Sequence, residues 1–325
     1  MSWTGHADQT LRMFLENMVA EGAIAHRAGI DVSPEQIVGA SREMLLDVIR
    51  TSLPLAHIMD TSDLVLHAEG PAVRGQALKL SAVNWVTGTV ESVIRKLSGS
   101  LFDLASRDSR RLARALDLRL TGFAPGSLYA GIAIESPPAD MLQADDEPVI
   151  QQIRLAVRNL PDIPHLIGDE DMSAEVREML PDPAQRDTSL TALYHLSPTG
   201  RRGIHTLDIA SPGKRSAKLS QRERVVLKDA IDKPRLHNRK RGQFVGELRE
   251  IDLDAHRFHL RDVAGVGNLR CIIGDLDRLA AKQLLGEFVQ VTGEYETDQE
   301  GRPRLMIVHD VSVRARAHQT SLDNI

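Results

Sequence analysis

Few residues of this chain stand at spacings that could do chemistry, and the elements that would carry them argue against most. Ser211-Pro212-Gly213-Lys214 sets a serine and a lysine with two residues between them, but those two, proline and glycine, make a turn, and a helix is what aims such a pair together. Gly122 to Ser127 carries glycines at both ends of a loop. No lysine follows it and the next element reads as a strand, whereas phosphate loops deliver the anion to a helix N-terminus. His256 and His259 lie on a predicted strand, where residues three apart point to opposite sides and cannot share one ion. Asp169-Glu170-Asp171 would hold magnesium only with carboxylates brought from elsewhere. These fragments predict no metal site, no cofactor and no catalytic residue.

Arg158 and His165, with six residues between them, have the arginine–histidine spacing of HEPN ribonucleases, which are helical. Pro161 and Pro164 fall inside that interval and would break the supporting helix, so the resemblance is set aside. Catalytic groups scattered over the chain would leave no local signature, and an enzyme of that kind ranks below the binding classes.

Composition is that of an ordinary globular protein: 325 residues, 42% hydrophobic, 26% charged, long enough for two or three domains. Aromatic residues make up only 3%, which weakens any reading that needs rings to stack bases. A lone cysteine, Cys271, excludes an internal disulfide and a thiolate zinc site, and favours a reducing cytoplasm. Neither a signal peptide nor an apolar run long enough to span a bilayer is visible. The net charge of -5 hides an asymmetry. Acids dominate from Glu135 to Asp187, and bases from Lys214 to Arg241. The basic segment could follow a phosphate backbone, or dock on the acidic segment of its own chain or of a second copy.

The positioning elements follow from periodicity. Leu11, Phe14, Leu15, Met18 and Val19 predict an amphipathic helix ended by Gly29. Ser33-Pro34-Glu35-Gln36 opens a second, from Pro34 to Thr51, and a third runs from Lys79 to Ala105. Alternating residues over Ala115 to Thr121 and Ser127 to Glu135 predict a β-hairpin, and Asp63 to His67 a further strand. Helices are expected at Pro148–Asn159, Met172–Leu180 and Pro183–Leu196, a strand at Gly203–Ile209, and a basic helix from Ser220, where Ser220 and Glu223 form a capping-box pair.

Five strands follow: Gln243–Ile251, His256–Arg261, Asn268–Ile273, Glu287–Glu296 and Arg304–Val313, with a helix at Asp275–Leu285 between the third and fourth. This order resembles the OB-fold, a small barrel whose second and third strands and flanking loops commonly hold ligands. The predicted class is α+β: a helical N-terminal domain with a β-hairpin (1–136), a mainly helical acidic-to-basic connecting segment (137–240), an OB-like five-stranded β-barrel (241–317) and a tail (318–325).

For a polyanion, the resemblance points to His256, Arg257, Phe258, His259, Arg261, Arg270 and Arg302. Alternation with the apolar Phe258 and Leu260 predicts Arg257, His259 and Arg261 as an exposed basic row. With Arg222, Arg224, Lys228, Lys233, Arg235, Arg239, Lys240 and Arg241 of the approach segment, these form the candidate nucleic-acid-binding set. The expected function is a non-enzymatic binding or assembly protein that associates with nucleic acid. The alternative is a protein-interaction or regulatory subunit that homo-oligomerises or grips a partner protein, similar in general look to bacterial accessory proteins of defence or toxin–antitoxin operons. No membrane partner is expected.

Overall fold

The structure is a computed structural model that describes residues 3–31, 33, 54–74, 77–101, 116–124, 128–136, 146–273 and 282–314. Within them the chain is α+β, with two five-stranded sheets. Helix α1 (Trp3–Arg27) ends where Gly29 predicts. Gly29 takes φ 67°, its N–H donates to the His26 carbonyl, and the Ile30 N–H donates to that of Ala25, which satisfies the last turn. The predicted helix from Pro34 to Thr51, the third helix beyond residue 101 and most of the helix predicted at Asp275–Leu285 lie outside the described residues.

Next come α2 (Pro54–Thr61), β1 (Leu64–Glu69), α3 (Leu80–Leu101), β2 (Asp117–Ala124) and β3 (Leu128–Glu135). The hairpin loop is shorter than predicted, because a bulge between Leu120 and Gly122 lets β2 run on to Ala124. Helix α4 (Asp146–Arg158) stops before Pro161, and Leu160–Leu166 continues as a 3₁₀ helix. Arg158 is therefore not on one helix with His165. It instead bonds Asp63, at 2.6 and 2.8 Å. Of the helix predicted at Met172–Leu180 only one turn forms, α5 (Val176–Met179), since Met172 is drawn into a bridge with Ile167. Helix α6 (Pro183–Leu196), β4 (Thr206–Ala210), β5 (Ala217–Leu219) and α7 (Gln221–Asp232) complete this part. The capping box at Ser220 is present.

The first sheet is antiparallel, in the order β2-β3-β1-β4-β5. Strands β4 and β5 come from beyond residue 137, so sequence on both sides of that position shares one sheet. It also shares one core: Leu64 and Leu66 of β1, Val86, Val90 and Ile94 of α3, Ile150 and Ile153 of α4, Leu193 of α6 and Leu227 of α7 are all buried in one cluster. Burial of an apolar surface on this scale is the main force holding the helices to the sheet.

The second sheet closes on itself in the order β10-β8-β7-β6-β9, from β6 (Lys240–Asp252), β7 (Arg257–Val263), β8 (Gly267–Ile273), β9 (Phe288–Thr297) and β10 (Pro303–Val313). Only β10 and β8 run parallel. Leu248, Phe258, Leu260, Leu269, Cys271, Val289, Val291, Met306 and Val308 fill the inside. On β8 the outward residues Arg270 and Ile272 are buried as well, which means that the barrel's outer face is covered. Among the described residues, no helix is long and apolar enough to cross a membrane.

Strand β9 passes close to β10 at Gly293, where a Cβ would lie 2.0 Å from the Ile307 carbonyl oxygen. Gly293→Ala should therefore destabilise the protein by about 1–3 kcal/mol, the usual range for an overpacked site, read as a lower urea midpoint.

Candidate binding site at the junction of helix and barrel

What covers the barrel is α6. Its N-terminus is set by Asp182, whose side chain accepts from the Gln185 N–H, and by Pro183 in the first turn. The helix is buried nearly all round, including Arg186, Asp187, Thr188, Ser189 and Thr191. Buried polar side chains need partners. Thr188 satisfies its hydroxyl on the Ala184 carbonyl; for the charged groups, the partners come from the barrel. Arg186 forks onto both carboxylate oxygens of Glu296 at 2.9 Å.

Asp187 receives two guanidinium groups from neighbouring strands: Arg257 of β7 at 2.8 and 3.0 Å, and Arg270 of β8 at 2.5 Å. The Asp187 and Arg257 side chains are 3% and 2% exposed, and that of Arg270 is 9% exposed. Burial alone would push the Asp187 carboxyl up. The two arginines overcome it and hold the group far below the usual carboxylate range. Arg257 is saturated further by the carbonyls of Ala255, His256 and Ile231, the last at the end of α7.

The exposed basic row expected at Arg257, His259 and Arg261 is therefore corrected. Strand alternation does put all three on the outer face, but α6 occupies that face, and Arg257 is among the most deeply buried side chains of the chain. His259 pairs across the strands with Arg270. Its Nε2 faces Arg270 Nη1 at 2.9 Å, so it must accept, and Nδ1 then donates to Glu250 at 3.1 Å. Burial pushes the His259 pKa down, in keeping with a neutral ring of fixed tautomer. Glu250 also receives Arg261 at 2.9 Å. The hydrogen bond from His259, ahead of the charges around it, lowers the Glu250 carboxyl to about 2.

In this connected network three guanidinium groups, Arg257, Arg261 and Arg270, face two carboxylates, Asp187 and Glu250, while His259 is neutral. One positive charge is in excess. It borders a cavity of about 420 Å³ between α3, α6 and strands β6 to β8, lined by Lys96, Thr188, Thr191, His195, Asp252 and Arg270 among others. Lys96 reaches Asp252 at 2.6 Å and His195 Nε2 lies 3.4 Å from the same oxygen. Against the opposing effect of burial, the His195 ring, the Lys96 ammonium and the Ala255 N–H hold the Asp252 carboxyl far below its ordinary value. Even so, His195 Nε2 is buried without hydrogen-bond geometry to any described group. The N–H groups of Arg270 are likewise not all used: beyond Asp187 and His259 its nearest acceptor is Thr191, at 3.5 Å. A cavity bordered by an unspent positive charge and unused polar atoms has the chemistry to accept a small anionic group.

The approach segment is placed differently. Arg222 bonds Asp169 at 2.6 Å, Arg235 bonds Asp171 at 2.5 Å, and Lys214 bonds Asp162 at 2.6 Å, so the basic segment docks on the acidic segment of its own chain. Lys228 pairs with Asp232, Lys233 with Asp229, and Arg239 and Arg241 share Glu294. Arg224 lies 3.8 Å over the Tyr194 ring and donates to the carbonyls of Tyr194 and Ser197, clamping α7 onto the end of α6. Lys240 is exposed. Of the eleven candidates only Arg257, His259 and Arg261 come together at the cavity's network. Asp187, His195, Glu250 and Asp252 were missed by sequence reasoning. The available signal was a capped helix with no apolar stripe, in which Arg186-Asp187-Thr188-Ser189 must find polar company.

Stability should depend on pH through His259. An unfolded histidine takes up a proton below about pH 6.5, which the folded, depressed His259 refuses, so stability is full above that pH and falls as pH drops below it. Melting curves from pH 7.5 to 5.5 should show a steeper fall in Tm for the native chain than for His259→Gln. Identical pH profiles would remove His259 from this role.

No protein-family model, curated protein or solved structure matches the chain, so its function has to be read from this geometry.

Proposed function

We propose that the chain is a binding protein whose barrel is an OB-fold and whose ligand is a small molecule bearing a phosphate or carboxylate group, held in the cavity between α3, α6 and the barrel. The strand order, the single parallel pair β8–β10 and the closure through β9 support the OB reading. The face of β7 and β8 that such barrels commonly offer to ligands is given over to α6, which supports a scaffold role for the barrel and leaves the cavity at its margin as the accessible remnant. The observation that carries the ligand class is the excess positive charge of the Asp187–Arg257–Arg270–His259–Glu250–Arg261 network beside His195 Nε2, which touches Asp252 at 3.4 Å without hydrogen-bond geometry.

Association with nucleic acid through the approach segment is the second reading. Its support is the exposure of Lys233, Arg235, Arg239 and Arg241, whose side chains are more than half accessible. They would have to trade carboxylates of their own chain for phosphates, and base stacking has few rings to use.

Calorimetric titration and melting curves with inorganic phosphate, citrate and adenosine monophosphate test the first reading. At least one should bind saturably and stabilise, by about 2.7 kcal/mol at a hundredfold excess over Kd, and His195→Gln or Arg270→Gln should weaken it. Binding of none of the three, together with salt-sensitive binding of a single-stranded oligonucleotide, would move the conclusion to the second reading.

A further inference from the structure

On the face of the first sheet opposite its main core, β1, β4 and β5 place a histidine, two carboxylates and a lysine side by side. His67 and Glu69 are two apart on β1 and so share a face. Asp208 of β4 stands directly opposite His67, and Thr206 opposite Glu69. One ligand-type atom from each of His67, Glu69 and Asp208 lies within 4.8 Å of the other two, with His67 Nδ1 3.2 Å from Asp208 Oδ2.

We propose that His67, Glu69 and Asp208 form a binding site for a divalent first-row transition-metal ion, for which Lys218 is the built-in competitor. One imidazole and two carboxylates suit Zn²⁺ or Mn²⁺ better than the all-oxygen shells of Mg²⁺ and Ca²⁺. Donors around a tetrahedral ion sit about 2.1 Å from it and about 3.4 Å from one another. His67 and Asp208 already stand 3.2 Å apart, and the half-exposed Glu69 side chain has room to turn toward them.

The surroundings hold these donors as outer-shell groups hold metal ligands. The Tyr129 ring, from the β3 residue paired with His67, is stacked on the imidazole at 3.9 Å and 4° from parallel, which fixes its plane. Thr206 donates to Glu69 at 3.0 Å and orients that carboxylate. Lys218 of β5, opposite Asp208, brings its ammonium to 3.7 Å from Glu69 and 3.9 Å from Asp208. Both separations exceed hydrogen-bond length and the side chain is 57% exposed, so this cation is held loosely and a divalent ion carrying twice its charge can displace it. The face carries two carboxylates against one ammonium, a local excess of negative charge that favours the exchange.

The site is independent of the cavity at the barrel and of any ligand there. Calorimetric titration of the chelator-treated full chain with ZnCl₂ and with MnCl₂ tests it. One saturable site is expected for at least one of the two ions. His67→Gln and Asp208→Asn should each weaken it by at least about tenfold, while Lys218→Gln should tighten it severalfold because the competing ammonium is gone. The last variant changes an exposed side chain and keeps the test open if the other two fold poorly. No binding of either ion below about 1 mM, or binding that Asp208→Asn and Lys218→Gln leave unchanged, would overturn the proposal.

Discussion

A carboxylate taken wholly out of water is tolerable only if fixed positive charge replaces its hydration, and Asp187 is such a group. Its two arginines come from adjacent strands of the barrel, while the aspartate itself sits on a helix of the other sheet's core. The ion cluster is therefore the joint between the two halves of the fold. Neither side can bury its charge alone: without α6 the guanidinium groups of Arg257 and Arg270 would face each other across two strands, and without the barrel Asp187 would be stranded in an apolar helix packing. Leu236, packed with Ile272 and Leu305 on the outer barrel wall, adds apolar area to the same joint.

That joint explains how the rest is arranged. Because Asp187 of α6 holds Arg257 of β7 and Arg270 of β8, the outer faces of those strands meet the helix in an internal interface, and a cavity stays open at its edge. Because Arg257 is saturated by carbonyls while Arg270 is not, the unspent hydrogen-bonding capacity lies on the cavity side. Because His259 accepts from Arg270, its proton sits on Nδ1 and Glu250 is its acceptor, so charge and tautomer are transmitted along one strand face. The opposite charges of the acidic and basic segments act to the same end through direct ion pairs, tying α7 and its flanking turns to the loops around residues 162–171.

Most of the architecture was legible in the sequence. Period-2 alternation located every barrel strand to within a few residues, and capping signals at Ser220 and Gly29 fixed helix ends that the structure shows. Four features were not legible. β5 has only three residues, too few to show a period, and with β4 it joins strands far back in the chain. The faces of β7 could be separated by alternation, but not what lies against them, so Arg257 read as solvent-exposed. Asp187 in a polar-looking helix carried no local hint of partners 70 and 83 residues away. The cluster of His67, Glu69 and Asp208 was invisible for the same reason, since its members meet only through strand pairing.

The central claim, that the Asp187 ion cluster joins α6 to the barrel as one energetic unit, is tested most directly by a double-mutant cycle between Asp187→Asn and Arg270→Gln, read by urea unfolding. The account predicts that each single change is strongly destabilising, by about 3–5 kcal/mol, and that the double variant recovers a coupling of at least about 1.5 kcal/mol. Losses that simply add, to within about 0.5 kcal/mol, would contradict it.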